Sequence, residues 1–138
     1  MKKILVLLFS ISLLAACFEK GGASGSVGER IKGKNLSVQA FYLTPGKSPK
    51  QRPSVNVRND SDKNFAMMPL TVTAWFKQAG KKERTFKSGE LAGNDQIPSQ
   101  KEIMLPGDLF NFDVAPSDQL DKLTLSIGGG QEVFTINP

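Results

Sequence analysis

No histidine occurs in this 138-residue chain, and Cys17 is its only thiol. Without an imidazole, the Ser-His and Cys-His schemes that activate a nucleophile are excluded. Zinc sites built on nitrogen and sulfur ligands fall for the same reason. A lone cysteine cannot close an intramolecular disulfide, so the fold must be held by its apolar core. Helical patterning is equally scarce, since no long stretch after the N-terminal residues carries an apolar period of 3.6. No apolar run approaches the roughly 20 residues that a membrane-spanning helix needs. Pairs such as Asp108 with Asp113 and Asp118 with Asp121 read as surface charges, not as acid–base pairs. The chain therefore reads as non-enzymatic, with no cofactor and no metal.

What is present begins at the N-terminus. Lys2 and Lys3 precede the apolar residues 4–13, interrupted only by Ser10 and Ser12. That length suits the apolar core of a secretory signal. Leu14-Ala15-Ala16-Cys17 follows at once, with small residues where a peptidase must approach the backbone. This arrangement resembles the lipobox of bacterial lipoproteins. The resemblance implies that Leu14, Ala15 and Ala16 form the signal-peptidase motif and that the Cys17 sulfur receives a diacylglycerol. Cys17 would then be the first residue of the mature chain. Acyl chains at about 0.8 kcal/mol per buried methylene would make release from the membrane negligible. In that family an aspartate after the cysteine retains many proteins at the inner membrane. Phe18 in that place implies an outer-membrane lipoprotein, facing the periplasm.

Loss of a signal at 1–16, which holds two lysines and no acid, lowers the formal net charge from +5 to +3. So mild a balance does not call for nucleic acid. The charge is uneven along the chain, however. Residues 17–58 carry eight Lys/Arg against Glu19 and Glu29, whereas residues 101–138 carry two lysines against six acids. A basic front half could lie against anionic head groups, at about 1 kcal/mol per cation. Folding that interleaves the halves would cancel the asymmetry.

Residues 17–35, rich in glycine and serine at their start, read as a lipidated cysteine and flexible tether. A domain is expected over 36–138. There, short runs of Val, Thr, Phe and Ile alternate with Gly, Pro, Asn and Asp clusters, the pattern of an all-β fold. Strands are expected at 36–44, from Ser54, at 70–77, 83–87, 102–105 and 109–114, around Leu123-Leu125-Ile127, and at 133–136, the last two as a hairpin around Gly128-Gly129-Gly130. Residues 118–123 could add one helical turn. The segment 88–100 has little pattern and reads as a connection between sheets. The expected architecture is a two-sheet antiparallel sandwich, immunoglobulin-like or transthyretin-like, with a closed barrel as the alternative.

Asp60-Ser61-Asp62 with Asn64 is the nearest approach to a calcium loop. The pattern asks for glycine at its sixth position and glutamate at its twelfth, where this chain has Phe65 and Thr71. It reads as a polar turn. Lys47, Lys50 and Arg52 form a basic, proline-bearing loop that could grip an acidic partner, and Lys81, Lys82 and Arg84 form a second basic patch. Trp75 matters more. If Leu70, Val72, Ala74 and Phe76 face the core, Trp75 stands among threonines on the outer face, where an indole is typical of a partner contact. Cover by residues 88–100 would bury it instead. Phe41 and Tyr42 pose the same question, because strand neighbours point to opposite faces. Trp75, Tyr42, Lys50 and Arg52 are thus the candidate partner-binding residues.

Leu43-Thr44-Pro45, Arg52-Pro53-Ser54-Val55, Ser61-Asp62-Lys63-Asn64-Phe65 and Glu102-Ile103-Met104-Leu105-Pro106-Gly107 resemble segments of the outer-membrane lipoprotein of type VI secretion systems. That family uses a β-sandwich to capture the periplasmic end of an inner-membrane partner. The sequence as a whole points to a lipid-anchored envelope protein whose sandwich binds another envelope protein, as an anchoring or assembly factor. A ligand-binding lipoprotein or adhesin, surface-exposed or periplasmic, is the alternative.

Overall fold

The computed structural model describes residues 22–43, 54–91 and 93–138. Residues 14–17, Lys50 and Arg52 lie outside them. Among the described residues there are eleven strands: β1 (Ala23–Ser26), β2 (Arg30–Lys32), β3 (Leu36–Tyr42), β4 (Ser54–Asn59), β5 (Phe65–Ala66), β6 (Leu70–Phe76), β7 (Gly80–Phe86), β8 (Gln96–Ile97), β9 (Glu102–Leu105), β10 (Leu120–Ile127) and β11 (Glu132–Asn137). They form a five-stranded sheet in the order β1-β11-β10-β6-β7, a four-stranded sheet in the order β2-β3-β4-β9, and the small pair β5-β8. The two large sheets enclose one core. This is the expected all-β sandwich, antiparallel except where β1 runs parallel to β11.

Alternation explains which face each strand buries. On β6, Leu70, Val72, Ala74 and Phe76 point inward, opposite Leu123 and Leu125 of β10. Phe134 and Ile136 continue that layer on β11. From the other sheet come Leu36, Val38 and Ala40 of β3 and Val55 and Val57 of β4. Each such side chain contributes about 1.5–3 kcal/mol when fully buried, so the core can hold the fold without a disulfide.

Three expectations are corrected. First, residues 17–35 are not a tether throughout, because β1 and β2 lie within them. The glycines and serines there answer to close packing. A Cβ at Gly25 would sit 2.7 Å from Ile31 Cγ1, where β1 of one sheet passes β2 of the other. The folded domain therefore starts well before residue 36.

Second, residues 109–114 form no strand. A 3-10 turn spans Gly107–Phe110 and buries Leu109 and Phe110 side by side, and Phe112 then meets Phe76 edge-on at 6.0 Å. The cause lies on the edge strand β7, whose inner face carries Lys82 and Arg84 opposite Ala74 and Val72. Inward charge blunts a sheet edge against further pairing. Arg84 instead donates to the Asp108 carbonyl at 2.7 Å and the Asn111 carbonyl at 3.2 Å, clamping the turn over that edge.

Third, Asp118 is no surface charge. It is 7% exposed, and its carboxylate accepts from the backbone N–H groups of Gln78, Ala79 and Gln119, each at 2.9 Å. The strand β10 begins at Leu120, so the helical turn expected at 118–123 does not form.

The polar turn after β4 is organised by buried Asn59. Its Nδ2 donates to the carbonyls of Lys63 and Ile97, and its Oδ1 accepts from Ser61. The two halves of the charge pattern interleave, as Arg30 and Glu102 show at 2.7 Å.

Candidate functional site

The strands fix which surfaces the sandwich presents at its two ends. Glu132 at the start of β11 accepts from the Leu36 N–H at the start of β3, and the Val27 N–H donates to the Asn137 carbonyl at the end of β11. One end therefore carries Gly22, the β2–β3 turn and the β10–β11 turn. The opposite end carries the close of β3, the close of β6 and the β6–β7 turn.

Trp75 lies near that opposite end, half-exposed on the outer face of the five-stranded sheet. Register places it between Lys122 of β10 and Lys81 of β7. The Lys122 Nζ stands 4.5 Å from the indole ring centroid, a cation–π contact of about 0.5–1 kcal/mol at an exposed site. Around this row the face is set with hydroxyls. Thr71 and Thr85 pair at 3.0 Å, Thr124 and Thr135 at 3.4 Å, and Thr73 donates to Glu83 at 3.0 Å. Glu83 also meets Lys81 at 3.6 Å. The result is a polar sheet face with one large aromatic between two lysines in register.

The β6–β7 turn beneath Lys81 is held by Asp118. Burial opposes ionisation of this carboxyl, but the N–H groups of Gln78, Ala79 and Gln119 outweigh it and draw its pKa below the ordinary aspartate value. An ionised Asp118 thus fixes the turn that positions the Trp75 row.

The segment 88–100 does not run over Trp75 as a lid of its own. Leu91 and Ile97 enter the core, and Gln96–Ile97 pair with Phe65–Ala66. Tyr42 is half-buried at the same end of the sandwich but belongs to the four-stranded sheet. The structure therefore does not join Tyr42 and Trp75 on one face. Register slips between Ala40 and Tyr42, and Phe41 is left 53% exposed. Met104 on β9 is 65% exposed on the outer face of the same sheet, its sulfur 3.8 Å from the Ser54 hydroxyl.

Reading by residue type missed Lys122, Met104 and Glu132. Lys122 gave no local signal, because its contact depends on pairing between strands far apart in sequence. Glu132 did give one: it shares strand parity with Phe134 and Ile136, which places it on the inner face. It is 6% exposed, and its carboxylate accepts from the Asn35 and Leu36 N–H groups at 3.1 Å. Beside it, at the end carrying Gly22, lies an open groove of about 620 Å³ flanked by Lys32 and Lys34.

Among the described residues no cluster of three or more His, Cys, Asp or Glu side chains could hold a metal ion. No helix there is long and apolar enough to cross a membrane. The fold defines the chain as a two-sheet β-sandwich. No protein-family model, no curated protein and no solved structure matches it.

Proposed function

We propose that the chain is a lipid-anchored protein of the bacterial cell envelope whose sandwich holds another envelope protein, as an anchoring or assembly factor. Cys17 carries the lipid in this reading, supported by the Leu14-Ala15-Ala16-Cys17 motif behind a short apolar segment. The observation that carries the binding role is Trp75, half-exposed between Lys122 and Lys81 on an otherwise hydroxylated sheet face. An indole flanked by cations suits a partner that offers an apolar recess ringed by carboxylates. Aromatic anchors of this kind carry most of the energy in protein interfaces. The outer membrane is the proposed site, and a secretion machine is one assembly that such a factor could serve.

The test is site-directed photo-crosslinking in living cells. A benzophenone side chain at Lys81 should give one discrete adduct with an envelope protein, and the same probe at Met104 should not give that adduct. Trp75→Ala should weaken the isolated complex by about 30-fold, the effect of losing roughly 2 kcal/mol at an interface anchor. An adduct unaffected by Trp75→Ala rejects the proposed surface. Absence of palmitate from the mature product rejects the anchor. The glycan-binding alternative draws on the same face, since an indole beside paired threonines also suits a sugar ring; it predicts no protein adduct and Trp75-dependent retention on a glycan matrix.

A further inference from the structure

We propose that the sandwich stands end-on at the bilayer, with Lys32 and Lys34 against anionic phospholipid head groups and Trp75 turned away from them. The inference rests on lipidation of Cys17. Its physical basis is the distance between that residue and the first fixed point of the fold. β1 begins at Ala23, in parallel register with Phe134. Gly22 is already held against β11, where a Cβ would lie 2.3 Å from the Val133 carbonyl oxygen. Four residues, 18–21, separate Cys17 from Gly22. Even fully extended, the five Cα steps between them reach at most about 18 Å.

So short a leash holds the sandwich by the end where β1 starts. Trp75 lies five residues along β6 from that end, about 17 Å. It is also three strands away from β1 in the sheet order, another ~14 Å. The leash favours contact of the Gly22 end, and charge selects it further. Lys32 and Lys34 are exposed beside the groove at Gly22. Among the described residues lining that groove the one carboxylate, Glu132, accepts from the backbone N–H groups of Asn35 and Leu36. Of the other acids at this end, Asp60 pairs with Arg58 at 3.0 Å and Glu102 with Arg30 at 2.7 Å, while exposed Asp62 and Glu90 are outnumbered by exposed Lys63, Lys87 and Lys101. The Lys32 and Lys34 ammonium groups at the groove thus face outward from an end with a surplus of cations, where an anionic leaflet attracts them.

Trp75 is the sole tryptophan, which makes the chain its own reporter. The acylated full-length protein is reconstituted in phosphatidylethanolamine/phosphatidylglycerol vesicles carrying a head-group dansyl acceptor, and its acyl chains are confirmed by mass spectrometry. Energy transfer from Trp75 should be weak. In the Trp75→Phe, Gln131→Trp double variant it should rise several-fold, because position 131 lies at the groove. Lys32→Glu with Lys34→Glu should lower that transfer in anionic vesicles and leave it unchanged in neutral ones. Strong transfer from Trp75 in the wild-type acylated protein overturns the orientation while leaving the anchor intact, and that reading needs no variant to fold. Loss of the anionic preference with the lysines present overturns the head-group contact. A product lacking acyl chains overturns both the anchor and the orientation.

Discussion

Removing the Glu132 carboxylate should destabilise the sandwich more than any other single change on its surface-facing turns. The carboxylate bridges the two sheets at the Gly22 end, because β11 belongs to one and the β2–β3 turn to the other. Its Oε1 accepts from Asn35 N–H and Leu36 N–H at 3.1 Å, and its Oε2 reaches the same Asn35 N–H at 3.1 Å. Hydrogen bonds to a charged group contribute about 1.5–3 kcal/mol, and a buried donor left without an acceptor costs about 1–3 kcal/mol. Glu132→Ala strands two N–H groups next to the core, so about 3 kcal/mol is expected. Glu132→Gln keeps one acceptor oxygen but turns an amide donor toward another donor, so about 1 kcal/mol is expected. For a domain between the 100- and 150-residue classes, the alanine variant should melt about 10–15 °C lower. Urea unfolding followed by Trp75 fluorescence and by circular dichroism gives the free energies, with an unchanged slope as the sign that only stability moved. A cost below about 1 kcal/mol for alanine would refute the accounting of stranded donors. A glutamine variant as damaged as alanine would show that charge, not acceptor geometry, is what the turn needs.

Asp118→Asn should alter how stability depends on pH. The native carboxyl titrates below its ordinary value of 3.8, so the unfolded chain binds the proton more readily. Its stabilisation is therefore full above the unfolded value and disappears as pH falls through the native one. The urea midpoint of the variant should lie below wild type at neutral pH, and the two should converge in acid; a constant gap would contradict the proposed cause. Arg84→Met should cost about 1–2 kcal/mol by releasing the Asp108 and Asn111 carbonyls, with Arg84→Lys recovering part of it, because both bonds come from the single nitrogen Nη1 and an ammonium can also donate to two carbonyls. Faster amide exchange in residues 107–112 than elsewhere would mark the effect as local, and uniform acceleration would argue against it.

Strands whose faces alternate cleanly could be read from sequence because their signal is local. Leu70-Val72-Ala74-Phe76 is such a case, and it correctly left Trp75 on the outer face. Val55 and Val57 against Asn56 and Arg58 are another. What failed depended on neighbours distant in sequence. Ala23–Ser26 looks like linker composition, yet its small residues are what let two sheet edges meet at Ile31. Residues 110, 112 and 114 alternate as a strand should, but the edge they would join is charged on its inner side. Asp118 looks solvated until the β6–β7 turn brings two N–H groups to it from forty residues away. The Trp75 site was half legible for the same reason. The indole's exposure follows from alternation, whereas Lys122 and Lys81 on either side follow only from register.

The conversion of a glycine-serine stretch from expected leash to observed strand bears directly on the proposed role. A leash over residues 17–35 would let the domain tumble and present any face to any depth. With β1 paired to β11 from Ala23, at most four residues would separate an anchor at Cys17 from Gly22. The height of the sandwich then becomes the length that matters. Trp75 stands five residues up β6 from the Gly22 end, about 17 Å. Added to an extended leash of about 18 Å, this would place the Trp75 row within roughly 35 Å of the lipid surface in the proposed arrangement. In that proposed arrangement a partner would have to present its complementary recess in that layer. Confinement there raises its effective concentration as a short linker does between two binding modules, so even a modest contact at Trp75 would suffice in place. The same reasoning makes leash length a sensitive variable. Inserting a Gly-Ser segment after Lys20 should leave the contact chemistry unchanged in solution and weaken assembly at the membrane. Equal assembly with a long and a short leash would remove stand-off height from the account of how this protein works.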